Sequence, residues 1–122
     1  MTLVVVDGAN VVGSRPDGWW RDRAGAAARL RDALVPLAAE GLPDLPPPLE
    51  VVLVLEGRAR DVEGVDGVRV VAAPGSGDDT IVDVVAAARP RRTVVVTADR
   101  GLRERVRGLG AEVVGPRAVR RG

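Results

Sequence analysis

The chain reads as an α/β protein, a three-layer α/β/α sandwich on a central parallel sheet of about five strands. Three observations predict it. Short Val- and Leu-rich runs recur along the 122 residues, the first of them apolar throughout and therefore buried on both faces. Segments of helical period separate most of them, which requires parallel pairing through right-handed crossovers. The apolar residues are nearly all Val, Ala and Leu, with no Phe or Tyr and two Trp. Side chains this small suit alanine-rich helices packed closely on a sheet.

A single domain over residues 1–122 follows from the length, which allows roughly two-thirds of the unfolded surface to be buried. The first strand covers Thr2 to Val6 and ends on Asp7-Gly8-Ala9-Asn10, the last being the chain's one asparagine. Residues 11–21 form a loop with Gly13, Pro16, Gly18 and the pair Trp19-Trp20. A helix runs from Asp22 towards Glu40, with Ala27, Leu30, Leu34 and Leu37 on one face; Pro36 kinks or restarts it. Leu42 to Leu49 holds four prolines and forms an extended connector.

Glu50 to Leu55 is the second strand, closing on Glu56-Gly57. Arg58 to Gly67 is polar, with room for one helical turn. Val68 to Ala72 is the third strand, Pro74 to Gly77 a break, and Asp78 opens a helix through Ala88. After the basic turn Arg89 to Arg92, Thr93 to Val96 is the fourth strand. Arg100 to Leu109 is helical, Glu112 to Val114 a short fifth strand, and Arg117 to Gly122 a basic tail.

Absences narrow the chemistry. Without Cys or His, thiol nucleophiles, zinc sites of the Cys/His type and His-based triads are excluded. Any metal must be held by hard oxygen donors, which suit Mg²⁺ or Mn²⁺. All 18 basic residues are Arg, which disfavours a Walker-type loop and lysine Schiff-base chemistry; a GC-rich coding bias accounts for the missing Lys. Lack of disulfides and of any apolar run near the ~20 residues of a membrane span leads us to expect a cytoplasmic protein without a membrane partner.

Charge is uneven along the chain. Residues 1–85 carry 8 Arg against 14 acids, and residues 86–122 carry 10 Arg against 3 acids. An acidic part beside a basic one is what a site joining metal ions to a polyanion requires; solvated arginine-rich helices would give the same count.

The acids fall at corresponding places. Asp7 follows the first strand, Glu56 the second and Asp99 the fourth, while Asp78 and Asp79 begin the helix after the third. In a parallel sheet these positions share the edge where ligands gather. Each has an ordinary structural role open to it: Asp78 as helix N-cap, Asp99 at a positive helix end, Asp7-Gly8 and Glu56-Gly57 as turns. Crowding like charges has no structural benefit, and divalent cations would resolve it, with activation of water for phosphoryl transfer as the chemistry. Asp79 sits near the opening; Asp83 lies a turn deeper. Asn10 has both an acceptor and donors with which to orient a ligand, a water or Asp7.

Asp7-Gly8-Ala9-Asn10 after a hydrophobic strand, Gly77-Asp78-Asp79-Thr80-Ile81 and Thr97-Ala98-Asp99-Arg100-Gly101-Leu102 together resemble the NYN domain, a branch of the PIN-like nucleases, and especially its YacP-like members. The resemblance spans most of the chain in order and spacing. It implies strand order 3-2-1-4-5 and a Mg²⁺- or Mn²⁺-dependent ribonuclease, an endonuclease hydrolysing RNA phosphodiesters by metal-activated water. By the same implication Asp7, Asp78 and Asp99 are the principal metal-site acids, with Asn10 supporting and Glu56 accessory. Glu56 stands where many relatives carry an aspartate, so its reach differs.

Around these acids, Arg100 and Arg103 lie one helical turn apart and are candidates for phosphate contacts, as are Arg58 and Arg60. Trp19 or Trp20 can stack an unpaired base, one packed and one partly exposed, and Ser14 can touch a phosphate. RNA is the expected partner, with a homodimer left open. Two other readings compete: a nucleoside triphosphate pyrophosphohydrolase using the same acids, and a non-catalytic RNA-binding or complex-forming module.

Overall fold

The computed structural model describes residues 1–120. Five parallel strands form one sheet: β1 (Thr2–Asp7), β2 (Leu49–Leu55), β3 (Val68–Ala72), β4 (Thr93–Val96) and β5 (Glu112–Val114). Their spatial order is β3-β2-β1-β4-β5, the order that the resemblance implies. β1 is therefore central, with β2 on one side and β4 on the other.

Four α-helices cover the sheet: α1 (Gly8–Gly13), α2 (Arg23–Glu40), α3 (Gly77–Ala88) and α4 (Arg100–Arg107). Alternation along the strands divides the core in two. Val4 and Val6 with Leu53 and Leu55 pack against Leu30, Leu34 and Leu37 of α2. Val5, Val52 and Val54 pack against Ile81 and Val85 of α3 and Leu102 and Val106 of α4. The layers are helix, sheet, helix. Among the described residues no helix is long and apolar enough to cross a membrane.

Four local expectations need correction. Residues 11–21 are not all loop: α1 starts straight after β1 because the Asp7 side chain caps it, accepting from the Asn10 backbone N–H at 3.4 Å while Val11 is buried beneath. α2 neither stops nor restarts at Pro36, which lies inside the continuous helix. Pro36 and Asp32, four residues before it, are both exposed, so the carbonyl that loses an N–H partner can turn to water.

The helix after the third strand is capped by Ser76 rather than Asp78, which lies in its first turn. Finally, the basic tail from Arg117 begins inside a structured turn, with Arg117 itself exposed. Pro116–Ala118 form a 3₁₀ turn and Val119 is buried; Arg121 and Gly122 lie outside the described residues.

Candidate active site

The sheet register builds the site. Val6 pairs with Val96 and Asp7 with Val54, so the residues following these pairs emerge together at the carboxyl edge. One residue past the Val6–Val96 pair, Asp7 meets Thr97, whose hydroxyl donates to Asp7 Oδ2 at 2.9 Å. The Thr97 oxygen in turn accepts the Asp99 backbone N–H at 3.1 Å. Asp7 is 5% exposed and Thr97 fully buried, an arrangement that satisfies buried polar groups which would otherwise be costly.

Asn10 closes the same seam from α1. Its side-chain oxygen accepts the Ala98 backbone N–H at 2.8 Å. That contact ties the first turn after β1 to the segment carrying Asp99. Asn10 thus positions backbone and, through its own N–H, the Asp7 carboxylate.

Asp99 caps α4 by accepting from Leu102 N–H at 2.8 Å, and its exposure leaves the remaining oxygen open to solvent. Glu56, following β2, takes the Gly77 backbone N–H into its carboxylate. This contact draws the start of α3 toward the sheet edge. Asp78, in the first turn of α3, is half-buried.

Electrostatics show that these acids sense one another. Burial pushes the Asp7 carboxyl above the ordinary aspartate range; the bonds from Thr97 and Asn10 pull it back, and the charges of Asp78 and Glu56 push it up again. Asp78 is likewise raised, first by burial, then by Asp99 and Glu56, with Arg105 opposing. Four carboxylates on four different segments thus form one repelling group centred on Asp78.

Other residues singled out by the sequence lie around this group in several roles. Asp79 pairs with Arg105 at 3.0 Å on the surface, an exposed pair of small energetic consequence, and its charge adds to those raising Asp78. Asp83 is exposed a turn further along α3. The Arg103 Nε donates to the Thr97 carbonyl at 2.9 Å, which holds α4 against the site. Arg100 is exposed beside Asp99, and Arg58 and Arg60 are exposed beyond Glu56. Ser14 donates its hydroxyl to the Val11 carbonyl at 2.6 Å, finishing α1.

The tryptophans differ as the sequence suggests: Trp19 is half-buried and Trp20 is 52% exposed. They meet edge to face with ring centroids 5.9 Å apart. Thr97 carries no mark in the sequence beyond a hydroxyl following three valines. Only the pairing of β1 with β4 reveals it as the link between Asp7 and Asp99.

The donor chemistry of this edge fits a hard divalent cation: it offers carboxylate and amide oxygens with a surplus of negative charge. Among the described residues no three acidic side chains stand close enough to form a ready cage. Asp7, Glu56 and Asp99 each use an oxygen on a backbone N–H, yet a carboxylate has about four acceptor sites. The remaining lone pairs leave room for a ligand role.

Two solved structures share the fold. Rae1 (YacP) from Bacillus subtilis superposes with a TM-score of 0.80 at 18% identity, over 98% of this chain and 71% of that one. A tryptophan-to-leucine mutant of the same protein gives 0.73 at 18% identity, over 98% and 72%. At this identity the likeness establishes the fold. No family model and no curated protein matches the chain.

Proposed function

We propose that the protein is a divalent-metal-dependent ribonuclease of the YacP-like NYN type, cleaving RNA within the strand. The observation that carries this reading is the gathering of Asp7, Glu56, Asp78 and Asp99 at one edge of a parallel sheet, with Thr97 joining Asp7 to the Asp99 segment and Glu56 holding Gly77 beside Asp78. Burial and then their proximity raise the Asp7 and Asp78 carboxyls. Capping and turn roles account for these acids one at a time, but they do not offset the cost of crowding like charges together. The shared fold with Rae1 (YacP) supports the reading, as do the three sequence motifs.

Asp7, Asp78 and Asp99 would hold Mg²⁺ or Mn²⁺, which when bound supplies positive charge against the scissile phosphate and acidifies the attacking water. The chain's own residues do the positioning. Thr97 and Asn10 fix the Asp7 carboxylate and the Asp99 segment. Glu56 holds the α3 start in place and stands by as an accessory acid. Arg100, exposed beside Asp99, would meet an RNA phosphate, and Trp20, 52% exposed, would stack a base.

One observation favours the non-catalytic alternative: Asp7, Glu56 and Asp99 already serve as backbone acceptors, which would preserve them in an inactive module. Incubating the protein with single-stranded RNA and Mn²⁺ separates the two. Cleavage lost on Asp99→Asn supports the nuclease, whereas binding without turnover in any metal favours the module.

A further inference from the structure

A cavity of about 490 Å³ opens beside the acidic edge, between α1, α2 and the end of β2. Its size falls within the roughly 300–1,000 Å³ usual for small-molecule sites. Val12, Ala27, Leu55 and Ala59 give it apolar walls. Trp19 forms another wall, its ring held by the Arg23 guanidinium 5.3 Å from the centroid. That cation–π contact fixes the indole in place before any ligand arrives.

Polar groups are confined to few places. Arg23 brings donors and Glu56 brings a carboxylate acceptor, the two kinds of partner that the edge of a heterocycle needs. Glu56 also accepts the backbone N–H of Gly77, next to Asp78, and Gly8, next to Asp7, lines the same cavity. The cavity and the acid cluster therefore share a wall, and a group in one is a single residue's width from the other. A flat, aromatic, hydrogen-bonding group attached to a phosphate fits both.

We propose that this cavity is a nucleobase subsite: it takes one unstacked base of the RNA strand whose phosphate reaches the acidic edge, with Trp19 as the stacking wall. The phosphate end of this inference rests on the nuclease reading, but base binding does not require turnover. Base pairing would hide the edge that Arg23 and Glu56 face, so the subsite selects unpaired strand. Trp19 and Trp20 thereby divide their roles, the first inside the cavity and the second on the open surface.

The test uses Trp20→Phe/Asp99→Asn protein, in which Trp19 is the only indole and turnover is blocked. Its fluorescence is titrated in Mg²⁺ with a trinucleotide, the same trinucleotide lacking its central base, adenosine and guanosine monophosphates, and ribose 5-phosphate. Saturable quenching by the intact trinucleotide is expected, weaker by about tenfold or more without the base, and absent with ribose 5-phosphate. Ala59→Leu, which fills the cavity, should weaken the intact trinucleotide by a similar factor. If that variant fails to fold by circular dichroism, Trp19→Ala read by calorimetry replaces it.

Equal binding of intact and abasic strands, or undiminished binding by the filled or Trp19→Ala protein, would overturn the inference. A mononucleotide binding as tightly as the trinucleotide would assign the cavity to free nucleotides and overturn it as a strand subsite. RNA cleavage by the parent protein without base binding leaves the nuclease reading intact and this inference refuted. Base binding without cleavage does the reverse.

Discussion

The Thr97 hydroxyl donates to Asp7 Oδ2 at 2.9 Å across the seam between β1 and β4. Because the same oxygen accepts from the Asp99 N–H, one buried side chain ties together two proposed metal-site acids. Thr97→Val keeps the shape and removes both bonds. It should cost about 1–3 kcal/mol in urea unfolding, the penalty of an unmet buried acceptor, and reduce RNA cleavage. Thr97→Ser should restore most of each. A valine variant with unchanged stability and activity would show that the link is idle.

Asp78 is the centre of the repulsion, and among the described residues no hydrogen bond to its side chain is lost with it, only the weaker attraction of Arg105. Asp78→Asn should therefore raise the melting temperature in EDTA while abolishing stabilisation by Mn²⁺. Cleavage should fall by roughly 100-fold or more, since even groups outside the ligand shell of a metal cost 10–100-fold. Thermal scans with and without Mn²⁺, alongside a cleavage assay, read all three effects.

The pH dependence follows from the raised carboxyls. A carboxyl with a folded pKa above its unfolded value favours the folded state while protonated. For Asp7 and Asp78 that stabilisation is complete below the ordinary aspartate value of 3.8 and is lost as pH rises through the elevated folded values. Metal-free protein should thus lose this contribution on approach to neutrality, and saturating Mn²⁺ should restore stability there by favouring the ionised acids. Melting curves against pH check it, with Asp78→Asn showing a shallower loss. An identical pH profile for the two proteins would contradict the assignment.

Asn10→Ala removes the acceptor for the Ala98 N–H at 2.8 Å. The expected loss is about 1 kcal/mol of stability, with activity falling roughly tenfold through a displaced Asp99 segment, at the scale of positioning groups. A fall in activity with no change in stability would instead place Asn10 on the substrate.

Gly8 is required by close approach. A Cβ there would lie 2.6 Å from both the Leu55 Cδ2 and the Val54 carbonyl oxygen, because α1 starts directly over the end of β2. Gly8→Ala should destabilise by about 1–3 kcal/mol, the usual cost of overpacking, measured by urea unfolding. Unchanged stability would mean that α1 can shift freely.

Strand positions were legible because each is built on a run of valine and leucine, even where a charged residue such as Arg69 interrupts it. Val68 to Ala72 and Thr93 to Val96 match the sequence reading residue for residue. Helix starts were harder. Asp7-Gly8 suits a turn as well as a cap, and only its bond to the Asn10 N–H decides for the helix. Ser76 and Asp78 both suit a cap, and the Glu56 contact to Gly77 helps fix where α3 begins.

In the candidate site, Asp7, Glu56 and Asp99 were legible as strand-end carboxylates and Asp78 as the start of a helix. The partners that orient them were not. Thr97 acts on Asp7 across 90 positions of sequence, and Asn10 reaches Ala98 across 88. Neighbouring sequence does not encode such contacts; strand pairing creates them. The cavity under Trp19 likewise exists only once α1, α2 and β2 are brought together.

One cleavage measurement separates the nuclease from its alternatives. The protein and its Asp7→Asn and Asp99→Asn variants are incubated with single-stranded RNA and, separately, nucleoside triphosphates, with Mn²⁺ or with EDTA. The account predicts internal RNA cleavage by the parent protein in Mn²⁺ alone, lost in both variants, with triphosphates left intact. RNA cleavage undiminished by either substitution, or hydrolysis of triphosphates with RNA left intact, would contradict it.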